Sequence, residues 1–269
     1  MTDRVHPYTR IVGAIIVPFL AAAFVLLYPL ADSTDLLFAW TIRPPLTAML
    51  LGSAYAGGIV FFVHVVRPNR WSAVRHGFPA VLLFATLLAA ATFLHWDRFH
   101  FGRLSFIVWV TLYVATPFLV LAAMLVNRGE DPGSPRQRDA VVPGWVRVVL
   151  ALIGLCSLAI GLVLFAAPST AVSVWPWPLT PLTARVSGAI LTLPGMVNLW
   201  MLRDSRWSAF RQIFQAQLVS LVLILLAIPL RAGEILWSRP SAALLVCGLA
   251  GSFVAYLALY VWAERRRLG

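Results

Sequence analysis

The feature that most constrains this chain is an internal repeat with a period of 136 residues. Two motifs carry it: Pro45-Leu46-Thr47-Ala48 recurs as Pro181-Leu182-Thr183-Ala184, and Arg67-x-x-Arg70-Trp71-Ser72-Ala73-x-Arg75 recurs as Arg203-x-x-Arg206-Trp207-Ser208-Ala209-x-Arg211. Both motifs are displaced by the same 136 positions. A constant displacement of this length is typical of a duplicated structural unit.

The repeated unit has the composition of a membrane helix bundle. Of 269 residues, 61% are hydrophobic and 12% are charged, and the mean hydropathy is +0.86. A hydrocarbon layer of about 30 Å needs roughly 20 apolar residues per helix. Eight segments meet this requirement and are predicted to span the membrane: 11–31, 45–66, 77–95, 104–126, 146–167, 182–202, 212–230 and 240–262.

Four helices per unit is an even number, so both units have the same orientation. We therefore expect an all-α integral membrane protein with eight transmembrane helices, arranged as two parallel four-helix repeats about a pseudo-two-fold axis along the membrane normal. The expected divisions are a first repeat over 1–126, a cytoplasmic linker over 127–146 and a second repeat over 147–269. The linker assignment follows from its glycines, prolines and mixed charges.

The basic residues predict the orientation. All 21 are arginine, which indicates a GC-rich and hence bacterial genome, and most fall in loops on the side of the N-terminus. The positive-inside rule then places both termini in the cytoplasm, with the protein in the plasma membrane. The net charge of +11 calls for no nucleic acid, because a basic rim binds anionic lipid headgroups. The predicted contacts to these headgroups are Arg67, Arg70, Trp71, Arg75, Arg203, Arg206, Trp207 and Arg211.

A ligand path is predicted where helices of both repeats look interrupted at matching positions. Gly57-Gly58 lies midway along the second predicted helix, and the same register brings Pro194-Gly195 midway along the sixth. Interrupted helices at corresponding places mark binding sites in repeat-built transporters. The candidate path residues are Tyr55, Gly57, Gly58, Thr192, Pro194, Gly195 and Asn198. Close helix packing is the competing explanation for the glycines.

The positions of the acidic residues give little support to a catalytic function. All ten acidic residues fall in loops or at helix ends, which argues against a carboxylate-driven proton antiporter, since such transporters carry intramembrane acids. The sequence predicts no catalytic residue, no metal site and no cofactor. One outer-face group remains as a candidate for an enzyme: His95, Asp97, His100 and Glu234.

Three functional hypotheses remain, and each makes a different structural prediction. A small permease or lipid-handling transporter predicts a path between the repeats. A non-catalytic subunit or scaffold, binding partner membrane chains or lipid, predicts a dry and tightly packed seam. An outer-face membrane enzyme predicts converging acid-base or metal-binding side chains. The first is preferred because of the repeat symmetry and the paired glycine and proline positions.

Overall fold

A computed structural model describes residues 2–67, 69–131, 133 and 139–268. Within these ranges the chain is all-helical and contains no strand, only three isolated bridges between loop residues. The ten α-helices are α1 Pro7–Leu27, α2 Thr34–Leu37, α3 Pro45–Val66, α4 Gly77–Leu94, α5 Leu104–Val126, α6 Gly144–Ala166, α7 Pro168–Val174, α8 Pro181–Trp200, α9 Arg211–Leu230 and α10 Pro240–Leu268.

Eight of these helices are long, and they lie where the sequence predicts spans. Seven are long and apolar enough to cross a membrane: α1, α3, α4, α5, α6, α9 and α10. The difference from the expected eight is α8, whose 20 residues match the required length. Arg185 and Asn198 lower its hydropathy, because a charged or amide group is costly in hydrocarbon. The fold is thus consistent with a helical membrane protein.

The main helix contacts in the first half of the chain have counterparts in the second, although the smaller contact of α1 with α5 does not. Helix α1 packs on α3 as α6 packs on α8, and α4 packs on α5 as α9 packs on α10. Across the halves, α3 packs on α9 and α8 packs on α4. The two halves are therefore joined mainly through their second and third long helices.

The Trp-Ser-Ala motif has a structural role in both halves. Asp3 accepts hydrogen bonds of 2.9 Å from the backbone N–H and from the hydroxyl of Ser72. Asp139 accepts the same pair of hydrogen bonds from Ser208. In each half, a carboxylate ahead of the first long helix thus holds the loop that follows the second. We call the end of the bundle that carries these loops the Trp-Ser-Ala end.

Glycines allow a close approach of α6 on α8. A Cβ atom added at Gly188 would lie 2.4 Å from the Gly161 carbonyl oxygen, and one added at Gly161 would lie 2.6 Å from the Gly188 oxygen. Gly52, 136 positions before Gly188, packs similarly on the backbone of Leu27 and Tyr28 at the end of α1. Small residues of this kind let membrane helices approach closely enough for dispersion contacts.

We therefore expect Gly188→Ala to destabilise the protein by about 1–3 kcal/mol, because the backbone oxygen it meets cannot move out of the way like a flexible side chain. Thermal unfolding in detergent would measure the effect. The matched control is Gly248→Ala, at a helical site with open space around it, where alanine gains up to about 1 kcal/mol of helix propensity. Equal melting temperatures for the two variants would contradict this packing.

Candidate functional site

A cavity of about 220 Å³ lies among all eight long helices. Many of its lining residues come in pairs that are 136 positions apart. Such pairs are Ala54 and Ile190, Gly58 and Pro194, Ala80 and Ala216, and Thr116 and Ser252. The cavity therefore lies where the two halves of the chain meet and draws on equivalent positions of both.

The cavity wall is mostly apolar, and most of its polar groups are already paired. The hydroxyls of Tyr55 and Tyr113 share a hydrogen bond of 2.5 Å. The Ser157 hydroxyl donates to the Leu191 carbonyl over 2.8 Å. Two lining groups differ: the hydroxyl of Thr116 and both amide atoms of Gln217 are buried without a partner within the described part of the chain.

The structure gathers some of the predicted path residues around this cavity. Four of the seven line it: Tyr55, Gly57, Gly58 and Pro194. The expected helix interruptions are absent, because α3 and α8 run continuously through these positions. Gly57 also serves packing, since an added Cβ would lie 2.1 Å from the Ser220 hydroxyl oxygen on α9.

The other three predicted path residues contact neighbouring helices or their own. Thr192 donates to the Ala189 carbonyl one turn earlier, at 2.7 Å. Gly195 faces Gly154 and Leu158 of α6. Asn198 is fully buried, and its amide nitrogen donates to the Tyr256 hydroxyl over 2.6 Å. These residues lie beside the cavity and are not among its lining residues.

A buried ionic cluster joins the two halves at the Trp-Ser-Ala end. Its members are Arg75, His76, Asp131, Asp204 and Arg206. Arg206 contacts both carboxylates, at 2.7 Å for Asp131 and 2.6 Å for Asp204. Arg75 also reaches both, at 2.7 and 3.3 Å, and His76 Nε2 lies 2.9 Å from Asp204 Oδ2. The cluster thus links the loop after α3, the loop after α8 and the segment between the halves.

The charges of the cluster stabilise one another. Burial raises the pKa of Asp204, but hydrogen bonds from His76 and Arg206 outweigh burial and leave this pKa far below its usual value. Hydrogen bonds to Asp131 and Asp204 raise the pKa of Arg206. Burial lowers the pKa of His76 despite the hydrogen bond to Asp204. Both carboxylates and Arg206 are therefore ionised at neutral pH, and His76 is neutral.

The predicted headgroup contacts divide into exposed and buried residues. Arg67, Arg70 and Arg203 are exposed and can reach headgroups, although Arg70 also lies 3.9 Å from Asp3. Trp71 and Trp207 are buried, and the Trp207 indole donates to Glu264 over 2.8 Å. The rest are salt-bridged: Arg75 and Arg206 within the ionic cluster, and Arg211 to Glu264 at 2.8 Å.

The outer-face candidates do not form one group. His95 accepts from Arg185, and Asp97 pairs with Arg98. His100 contacts Thr41.

Glu234 instead caps a helix, accepting from the Leu46 N–H at the start of α3 over 2.7 Å. Among the described residues, no three His, Cys, Asp or Glu side chains are grouped to hold a metal ion.

For the described residues, fold and site together define a class, namely an all-helical protein with seven membrane-length apolar helices and an apolar cavity lined by all eight long helices. Compared with family models, curated proteins and solved structures, the chain matches none of them.

Sequence reasoning missed the acidic members of the ionic cluster and the Asp3 and Asp139 contacts. A signal existed for the second pair, because Asp3 and Asp139 are separated by the same 136 positions as the motifs. No such repeated spacing marks Asp131 or Asp204. The residue 136 positions before Asp204 is a proline and not an acid.

We expect Asp204→Asn to destabilise the protein by about 3–5 kcal/mol, because it leaves Arg206 and Arg75 with one buried carboxylate instead of two. Denaturant or thermal unfolding in detergent would measure this loss. The control is Asp97→Asn, whose side chain is 73% exposed and whose surface pair contributes about 0–1 kcal/mol. Similar losses for the two variants would contradict the role given to the cluster.

The cluster also predicts a pH dependence. The pKa of His76 is lowered in the folded state, so its contribution to stability is fully present above its unfolded pKa of about 6.5 and is lost as the pH falls below that value. Melting temperatures at pH 7.5 and 5.5 should therefore differ, with the lower value at pH 5.5. His76→Gln should reduce the difference, and an unchanged difference would show that other groups cause it.

Proposed function

We propose that this chain is an eight-helix membrane protein made of two parallel four-helix repeats, and that it handles lipid through the cavity between them. In this proposal α8 is the eighth span, and its polar residues face protein. The Trp-Ser-Ala end, with the exposed Arg67, Arg70 and Arg203, faces the cytoplasm of a bacterial cell and its anionic headgroups.

The paired helix contacts support the repeats. The contacts of α1 with α3 and of α4 with α5 recur as α6 with α8 and α9 with α10, and α3 with α9 mirrors α8 with α4. Four helices per unit keep the orientation, so a pseudo-two-fold axis along the membrane normal relates the units, as in other parallel-repeat transporters.

The observation that carries the function is the cavity itself. Its position among all eight long helices supports the proposal, because a path between two such repeats is expected there. A dry seam, which the scaffold hypothesis predicts, would have left no such volume. Tight contacts such as that of Gly57 with α9 border the cavity and leave it open.

The cavity chemistry favours lipid over a polar solute. No charged side chain is among the described residues that line it. The tyrosine pair and three of the lining serines are satisfied by protein partners: Ser53, Ser157 and Ser220. A charged or strongly hydrated solute would lose water without gaining contacts, at a cost of several kcal/mol. An alkyl chain loses nothing there and keeps its dispersion contacts.

Transbilayer movement of two short-chain fluorescent lipids tests the proposal. Purified protein is reconstituted into vesicles with NBD-labelled phosphatidylcholine or NBD-labelled ceramide, and dithionite then bleaches the label that reaches the outer leaflet. We expect the ceramide probe, whose head group is uncharged, to lose its fluorescence beyond the outer-leaflet half faster than in protein-free vesicles. The phosphatidylcholine probe should gain less, because its head group is charged. Rates equal to those of protein-free vesicles for both probes would refute lipid transport and leave the scaffold hypothesis.

A variant that fills the cavity, compared with a matched control, tests whether the cavity is the path. Ala54→Phe adds a ring at a lining position and should return the rate to that of protein-free vesicles. Ala22→Phe makes the same change on α1 at an exposed position that is not among the lining residues, and should leave the rate unchanged. Equal rates for the two variants would show that the cavity is not the path.

A further inference from the structure

The amide of Gln217 has no structural partner in the fold. Its nitrogen and oxygen are both buried and unbonded within the described residues, although the side chain lines the cavity. A buried, unsatisfied amide is destabilising, because it gives up its hydrogen bonds to water and gains none in return. A neighbour on the same helix shows the usual solution, since Gln215 donates to the Tyr260 hydroxyl over 2.6 Å.

Packing does not require an amide at this position. The residue 136 positions earlier is Val81, which lines the same cavity from α4. Valine fills the equivalent place in the first half without any polar group. The energetic cost of Gln217 is therefore not explained by the helix contacts that the two halves share.

A second unpaired group lines the cavity from α5. The Thr116 hydroxyl is buried and without a partner in the described part of the chain, and the residue as a whole is only 6% exposed. Together, the amide and the hydroxyl offer hydrogen-bond donors and acceptors but no charge. The rest of the wall suits an alkyl chain.

From these groups we infer that the cavity is a binding site for an uncharged amphiphile, in which Gln217 and Thr116 bind a head group that both donates and accepts hydrogen bonds, such as a hydroxyl. The apolar wall takes its alkyl body. A volume of about 220 Å³ holds roughly seven groups the size of a water molecule or a methylene, which sets the scale at a short alkyl chain of about six to eight carbons. This inference rests on the proposed lipid-handling function and names its substrate class.

Photolabelling with a diazirine analogue of octan-1-ol tests the site without measuring transport. The full chain in nanodiscs is irradiated with the probe, and labelled peptides are mapped by mass spectrometry. We expect labels on the cavity-lining segments of α5 and α9. Excess octan-1-ol should compete about fivefold more strongly than octane, since one net hydrogen bond corresponds to about that factor in affinity. Octanoate and octyltrimethylammonium should compete no better than octane.

Two glutamine variants make the test specific. Gln217→Leu should reduce labelling of the cavity about fivefold and raise the melting temperature, because it removes an unpaired buried amide. Gln215→Leu makes the same change two residues away, where the amide is bonded to Tyr260; it should lower the melting temperature and leave labelling unchanged. The two variants should shift the melting temperature in opposite directions, and only Gln217→Leu should reduce labelling. This pattern distinguishes loss of a binding group from general damage to α9.

Other results would overturn the inference. Equal competition by octane and octan-1-ol would show that the head group is not recognised. Labels confined to lipid-facing residues would show that the cavity holds no amphiphile. A lower melting temperature for Gln217→Leu would overturn the inference as well, because it would mean that ordered water satisfies the amide. The failures are separable: lipid movement without cavity labelling refutes only this site, whereas cavity labelling without movement refutes only transport.

Discussion

The close packing of α3 on α9 and of α4 on α8 is the interaction on which the rest of the structure depends. These contacts join the two halves, whereas the outer pairs α1 with α3 and α6 with α8 lie within each half. In a bilayer, hydrophobicity gives no preference for one helix over a lipid tail, so packing and hydrogen bonds must supply the attraction. Gly57 meets Ala216 and Ser220 for this reason, and the cavity is the volume that such contacts leave unfilled.

Electrostatics fixes one end of this interface more firmly than the other. At the Trp-Ser-Ala end, Arg206 lies between two carboxylates from different segments and is 6% exposed. At the opposite end the ionic link between halves is more exposed: Arg231 pairs with Asp32, whose side chain is 60% exposed. The Trp177 indole also donates to Thr47 there, over 2.8 Å. A buried network is costly to disrupt, because each lost member leaves another charge unpaired. Relative motion of the halves is therefore opposed most strongly at the end where the cluster lies.

The helices could be predicted from the sequence because their cause is local. Each apolar run of about 20 residues specifies a helix by itself, and α3 from Pro45 to Val66 begins and ends where the sequence predicts. The site could be predicted only in part. The glycines at 57 and 58 indicate a special position, but sequence alone cannot distinguish a broken helix from close packing, and here the helix is continuous. Gln217 and Thr116 carry no sequence signal, since their significance lies in partners that tertiary packing fails to provide.

Positions 136 residues apart can be compared to separate side chains that packing requires in both halves from side chains that occur in only one wall of the cavity. Ala80 and Ala216 are identical and small, as a shared packing constraint demands. The polar positions diverge: the paired Tyr55 and Tyr113 of the first half correspond to Leu191 and Leu249 in the second, and Gln217 corresponds to Val81. The cavity thus has the bonded tyrosine pair in its first-half wall and the unbonded amide in its second-half wall. This asymmetry gives an amphiphile one preferred orientation, because a head group gains a hydrogen bond at Gln217 and none at Val81.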